Sequence, residues 1–118
     1  METARTVLAA GTCVLLLVAA LSKVTGQQAM RDMAAHLSVA WPRYRAIGFL
    51  ELAAVAGIVA GLLWWPWLGV AAGGGVVLLM VGAVAFHARA KDPLAAMGPA
   101  LAVLALAAGY TATSLLTA

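Results

Sequence analysis

Four apolar stretches, each about 20 residues long, limit what this sequence can fold into. An α-helix rises 1.5 Å per residue, so a stretch of that length crosses the roughly 30 Å hydrocarbon core of a bilayer. Of the 118 residues, 65% are hydrophobic and 9% are charged, which leaves too little polar surface to cover a soluble globule. We therefore predict an all-α integral membrane protein, with residues 1–118 forming one bundle of four transmembrane helices.

The predicted spans are residues 4–23, 44–63, 68–87 and 99–117. The second and third are joined by residues 64–67 (WWPW), where the proline ends a helix and the indole rings favour the headgroup boundary. Apolar residues share one face of residues 27–37, which predicts a short interfacial helix between the first two spans. Asp92 and Pro93 predict the N-cap and first residue of another short helix.

Basic residues gather at one end of the predicted bundle. The other end has only Arg5, whereas the connections after the first and third spans hold Lys23, Arg31, Arg43, Arg45, Arg89 and Lys91. Loops rich in Lys and Arg stay in the cytoplasm, so we predict a cytoplasmic polar end with both termini outside. Because these residues flank apolar stretches and form no stripe on a solvated fold, nucleic-acid binding is not expected.

Few residues in the chain suggest other site chemistries. Cys13 is the single cysteine, so the chain forms no internal disulfide, and we interpret its side chain as a small buried hydrophobe. The two histidines show no spacing typical of a metal site, and no metal is expected. We interpret His36 as a solvated side chain and Asp92 as a helix cap only.

Glu51 is the residue that a membrane span tolerates least, because an ionised carboxylate in hydrocarbon costs several kcal/mol unless it is paired. The chain reverses at each span, so the end of the first, the start of the second and the end of the third lie at one membrane face. The polar side chains at these ends are Lys23, Tyr44, Arg45, His87 and Arg89. We predict that they surround a common pocket, with Gly48 leaving room for a ligand beside Glu51.

Three interpretations of this cluster stay open. Glu51 can form a buried ion pair that locks helices together. The cluster can bind a ligand, with Lys23, Tyr44, Arg45, Gly48 and Arg89 forming the binding site. Alternatively, Glu51 and His87 at one depth can act as acid and base in catalysis, since imidazole and carboxyl groups exchange protons with substrates.

Three segments resemble the DoxX-like family of small four-helix bacterial membrane proteins. They are residues 21–26 (LSKVTG), 45–51 (RAIGFLE) and 83–89 (AVAFHAR), and the resemblance covers nearly the whole chain. It implies a multi-pass protein of the bacterial cytoplasmic (inner) membrane and association with sulfur and quinone redox systems. Similar folds are proposed for membrane chaperones and for proteins that bind or isomerise sterols. The matching polar positions are Lys23, Glu51, His87 and Arg89.

The leading functional hypothesis is binding of a small lipophilic ligand, of quinone or isoprenoid type, with a quinone as the candidate cofactor and an accessory role in a membrane redox system. The alternative is a membrane-embedded isomerase or cyclase that acts on a terpenoid or polyketide through Glu51 and His87. A small multidrug-type transporter is a third hypothesis, although such transporters carry their essential carboxylate in the first helix, and the first span here has none. Expected partners are the lipid bilayer and either a second copy of the chain or a redox subunit.

Overall fold

A computed structural model describes residues 2–117 as helices joined by short connections. The helices are α1 (Glu2–Val24), α2 (Gln28–His36), α3 (Trp41–Leu63), α4 (Pro66–Arg89) and α5 (Gly98–Thr117), with a 3-10 helix at Leu94–Met97. Four of them are long and apolar enough to cross a membrane. The predicted all-α class with four membrane-spanning helices and a short helix between the first two is confirmed. Each long helix extends up to three residues beyond its predicted span.

The four long helices form a ring in the order α1, α3, α4 and α5, in which each contacts two neighbours. Chain direction alternates around the ring. One end, here called the polar end, is therefore formed by the last turns of α1 and α4, the first turns of α3 and α5, α2 and the 3-10 helix. The opposite end carries three exposed tryptophans, Trp64, Trp65 and Trp67. The longest dimension is 41 Å, close to a bilayer with its headgroups.

The hydrophobic core fills the middle of the bundle and the half nearer the tryptophans. Its buried members are Ala9, Leu16, Ile58, Val76, Met80, Val103, Ala107 and Tyr110. Large apolar side chains such as Leu78 and Leu116 are exposed on the outside, which suits a surface in contact with lipid. Solid packing in one half leaves the polar half free to enclose a cavity.

Glycines set the register between α3 and α4. Gly61 lies directly against the backbone of Gly69, and a Cβ on Gly57 would lie 2.8 Å from the Cβ of Ala72. Such close backbone approach is available only to small residues. Because the two helices are antiparallel, these two contacts fix which residues of α3 and α4 lie at the same depth.

The connections at the polar end use left-handed residues after the helices. Gly26, Ser38 and Lys91 have φ values of 74°, 59° and 61° and follow α1, α2 and α4. After α4, the Lys91 N–H donates to the Ala88 carbonyl and the Asp92 N–H donates to the His87 carbonyl, both at 3.0 Å. This pair of bonds is the Schellman arrangement, which turns the chain sharply at the end of a helix.

The predicted capping role of Asp92 is wrong. The short helix predicted after it exists as the 3-10 helix at Leu94–Met97, but Pro93 occupies the cap position and no side chain caps the helix. The carboxylate of Asp92 turns instead toward two histidines. The sharp turn after α4 directs it there.

Candidate functional site

A cavity of about 840 Å³ occupies the polar half of the bundle. Its wall is mostly apolar, and its deep part is formed by Leu15, Leu16, Leu79, Met80 and Val103. Met30, Met33 and Leu37, from α2 and the residue after it, border it at the polar end. Pockets of this size and lining are typical of sites for small lipophilic molecules.

Lys23 and Glu51 form a buried ion pair at the cavity wall. The Lys23 Nζ lies 3.0 Å from Glu51 Oε1, and the two side chains are 11% and 2% exposed. Both residues border the cavity. Among the basic residues that the sequence places near Glu51, its partner is therefore Lys23, in the last turn of α1.

The ion pair leaves hydrogen-bonding capacity unused. Within residues 2–117, buried Oε1 accepts no hydrogen bond other than the 3.0 Å contact with the Lys23 ammonium. The ammonium of Lys23 lies 5.4 Å from the centroid of the Tyr44 ring, where the face of the ring attracts a cation. A ligand that donates a hydrogen bond to Glu51 would therefore use an acceptor site that the described protein groups leave free.

Gly48 has a packing role next to this pair. A Cβ at Gly48 would lie 2.8 Å from Lys23 Cβ and 3.1 Å from the Ala20 carbonyl oxygen. Lys23 fills the space beside Gly48, and Gly48 does not border the cavity. The glycine thus lets α1 and α3 approach closely enough for Lys23 to reach Glu51.

Asp92 joins His87 to His36. His87 Nδ1 and His36 Nε2 lie 2.6 Å from Asp92 Oδ2 and Oδ1, respectively. His87 borders the cavity and is buried, whereas the side chain of His36 is 51% exposed. His36 is therefore not simply solvated. Asp92 is the site residue that the sequence reasoning missed. In the described chain, no three His, Cys, Asp or Glu side chains are grouped as metal ligands.

The two histidine contacts lower the pKa of the Asp92 carboxyl from its ordinary value of 3.8, with His87 the larger cause. A carboxyl whose pKa is lower in the folded state stabilises that state fully above its ordinary pKa. The contribution is lost as the pH falls through the lower, folded value. We expect the amides of α2 to exchange faster with solvent once the pH drops well below 3.8, after correction for intrinsic exchange. Hydrogen exchange followed by mass spectrometry measures this step, and Asp92→Asn should lack it; the same step in that variant would contradict the assignment.

Arg45 and Arg89 lie outside the cavity lining. Arg45 Nε donates to the Val24 carbonyl and Arg89 Nη2 donates to the Leu37 carbonyl, both at 2.9 Å. Each guanidinium thus satisfies a free carbonyl at or just after a helix C-terminus, where a positive charge is also favourable. Of the predicted site residues, the structure brings Lys23, Tyr44, Glu51 and His87 to the cavity and places Arg45, Gly48 and Arg89 beside it.

Glu51 and His87 lie at different depths. The Gly61–Gly69 and Gly57–Ala72 contacts set the register of the antiparallel helices α3 and α4. When this register is extended toward the polar end, Glu51 is level with residue 79 of α4, about eight residues from His87. That separation is about 12 Å along the helix axis. Helical side chains tilt toward the N-terminus of their own helix, so these two tilt toward each other and shorten the gap. Glu51 and His87 therefore lie at two different depths along the cavity, and not at the single depth that the sequence predicts.

Helices α1 and α5 pack tightly in the tryptophan half of the bundle. A Cβ on Gly11 would lie 3.3 Å from Leu106, and one on Gly109 would lie 3.2 Å from Leu8. Residues three and four positions closer to the polar end on the same faces, later in α1 and earlier in α5, belong to the polar half. The contact surface between α1 and α5 in the tryptophan half therefore continues along both helices to the cavity.

The cavity opens to the side of the bundle. Part of this opening lies between α1 and α5, and exposed Gly75 and Leu78 of α4 line the cavity as well. Leu15 and Val18 continue the face of α1 that carries Leu8 and Gly11, and they line the cavity while remaining 41% and 64% exposed. On α5, Pro99 and Ala102 likewise line the cavity and are exposed. Since this side of the bundle faces the lipid tails, the opening connects the cavity to the bilayer.

Together, the fold and the cavity define a small four-helix membrane protein with a laterally open, apolar pocket that is polar at one end. The sequence profile of the DoxX-like family matches residues 7–110, and the chain belongs to that family. No match was found among curated proteins or among solved structures.

Proposed function

We propose that this protein binds a lipophilic molecule with a polar head, of quinone or isoprenoid type, in the cavity at its polar end. The observation that carries the proposal is the distribution of polar groups in a cavity of about 840 Å³. The deep wall is apolar except for Glu51, which lies level with Leu79, whereas Lys23, Tyr44 and His87 lie toward the polar end. An amphiphile aligned like the surrounding lipids matches this distribution.

Polar contacts must supply the selectivity of such a site. Moving an apolar tail from lipid into an apolar cavity gains little, because lipid tails are as apolar as leucine. A ligand distinguished from bulk lipid therefore depends on the groups that meet its head. A charge-assisted hydrogen bond from Lys23 and a hydrogen bond to Glu51 are each stronger than bonds between neutral groups.

The opening between α1 and α5 gives the ligand a route from the bilayer. A molecule that partitions into the membrane can enter there without passing through water. A bacterial inner-membrane location, a cytoplasmic polar end and an accessory role in a membrane redox system belong to the same proposal. Family membership and the four apolar helices support the membrane location, and the clustering of basic residues supports the cytoplasmic polar end.

Blocking the opening tests the proposal. Ala102→Trp places an indole at the α5 edge of the opening. We expect the purified protein to retain about tenfold less ligand than the wild type, or less still. A tenfold loss corresponds to about 1.4 kcal/mol of binding free energy. Mass spectrometry of lipids extracted from the purified protein measures retention. Ala105→Trp, at an exposed position of α5 that does not line the cavity, is the matched control and should retain the wild-type amount. Equal loss in both variants, or none in Ala102→Trp, would contradict the proposed site.

Acid–base catalysis on a terpenoid or polyketide is the second candidate. It is favoured by the Asp92–His87 contact, because a carboxylate that orients an imidazole is a recurrent feature of catalytic histidines. The separation in depth between Glu51 and His87 requires them to act on different atoms of one substrate. Incorporation of deuterium from D₂O into the bound molecule, lost in Glu51→Gln and His87→Phe, would distinguish catalysis from binding alone.

A further inference from the structure

We propose that the ligand is a lipophilic alcohol or phenol, and that Asp92 positions His87 to accept a hydrogen bond from its hydroxyl group. This inference rests on the proposed ligand-binding function and specifies the chemical class of the ligand. It also gives a role to the histidine contacts of Asp92.

Asp92 determines which nitrogen of His87 carries a proton. An ionised carboxylate can only accept hydrogen bonds, so the 2.6 Å contact between His87 Nδ1 and Asp92 Oδ2 requires a proton on Nδ1. In neutral imidazole the other nitrogen, Nε2, then holds a lone pair and acts as an acceptor. The second contact of Asp92, with His36 at 2.6 Å, holds the carboxylate in place from its other oxygen.

We place the free nitrogen of His87 toward the cavity. His87 borders the cavity, whereas Asp92 does not, and the ring nitrogens lie on different sides of the imidazole. Within residues 2–117, Nε2 has no hydrogen-bond partner, and the hydroxyl of Ser22, which also lines the cavity, donates to the Val18 carbonyl at 2.8 Å. An acceptor in a mostly apolar pocket therefore awaits a donor from outside the described chain.

The polar groups of the cavity together favour a hydroxyl. Glu51 and His87 Nε2 are acceptors, whereas Lys23 is a donor. A hydroxyl can donate to His87 Nε2, while the Lys23–Glu51 pair lies deeper in the cavity and contacts other atoms of the ligand. A ketone or an ether can only accept, so it would leave His87 Nε2 unpaired. The inference therefore narrows the proposed quinone type to its reduced form, which carries hydroxyl groups.

Two probes with the same tail test the inference: 4-nonylphenol and 4-nonylanisole, in which a methyl ether replaces the hydroxyl. Binding to the full chain in detergent micelles is measured by native mass spectrometry, at a pH where ¹⁵N NMR shows His87 to be neutral. We expect the wild type to bind the phenol roughly tenfold more tightly, the value of one buried hydrogen bond. In Asp92→Asn the carboxamide can donate to Nδ1 and move the proton to Nε2, so the preference should fall to about one. The ratio between proteins cancels differences in how the probes partition into micelles.

His36→Ala is the matched control, because it removes the contact between α2 and Asp92 but leaves the Asp92–His87 pair in place. It should keep the tenfold preference, and the NMR spectrum should still show the proton of His87 on Nδ1. Equal binding of both probes to the wild type would overturn the inference and leave the proposed function standing. A phenol preference that persists in Asp92→Asn would transfer the acceptor role to Glu51 and overturn the role of Asp92. Failure of both probes to bind would count against the proposed function itself.

Discussion

Lys23→Met is expected to destabilise the folded protein by about 3–5 kcal/mol, the usual cost of removing one partner of a buried ion pair. The double variant Lys23→Met, Glu51→Leu is expected to be close to the wild type in stability. The reason is that the single change leaves a carboxylate with a 2% exposed side chain and no cation, whereas the double change removes both charges and fills the space with apolar atoms.

Unfolding in mixed micelles, followed by tryptophan fluorescence, measures these free energies. Glu51→Leu alone should also be costly, because it strands the ammonium of Lys23, so the two single changes should be strongly non-additive. Additive effects would show that the two charges do not interact in solution.

The same double variant separates a structural ion pair from a ligand site. If the pair only locks α1 to α3, the stable double variant should retain the ligand that copurifies with the wild type. We expect it to lose most of that ligand, because the pair supplies polar contacts that distinguish the ligand from bulk lipid. Full retention in a folded double variant would restrict the pair to a structural role.

Gly61→Ala is expected to destabilise the protein by about 3 kcal/mol, at the upper end of the usual cost of overpacking. A Cβ at this position would lie 2.5 Å from the backbone nitrogen of Gly69 and 3.2 Å from the Tyr110 hydroxyl. Backbone atoms cannot rotate away as a side chain can, so α3 and α4 must separate. The separation would also disturb the register that places Glu51 at the cavity.

Gly74→Ala is the matched control, because a Cβ there meets nothing within 4 Å. It should be neutral or stabilising by up to about 1 kcal/mol, since alanine loses less backbone entropy than glycine in a helix. Unfolding of both variants under the same conditions is the measurement. Similar stabilities would show that α3 and α4 do not pack at Gly61 as described.

Much of the candidate site follows from the order of residues along the chain. Hydropathy gives the four spans, and the reversal of direction at each span places Lys23, Glu51 and His87 at the same end. Their convergence on one cavity agrees with that reasoning. Asp92 was missed because the turn that directs it toward His87 passes through Lys91, and the left-handed residue of such a turn is usually a glycine.

The pairing of side chains within the site was not predictable from the sequence, as the basic residues near Glu51 show. Lys23, Arg45 and Arg89 all lie near the polar end, and the sequence alone does not specify which of them approaches Glu51. Helix rotation and the close approach at Gly48 bring Lys23 to the carboxylate, while the two arginines satisfy backbone carbonyls. Rotation of a helix about its axis depends on contacts between residues distant in the chain.

The sequence by itself determined the membrane class, the four spans, the family and the end of the bundle at which the polar groups gather. These features depend on hydropathy, chain reversal and local motifs, each of which acts along the chain. Only the tertiary structure decided that Lys23 pairs with Glu51, that Asp92 contacts both His87 and His36, which lies 56 residues earlier in the chain, and that the cavity opens to the side of the bundle. Those features depend on how side chains from separate helices fit together, and local sequence patterns do not encode that fit.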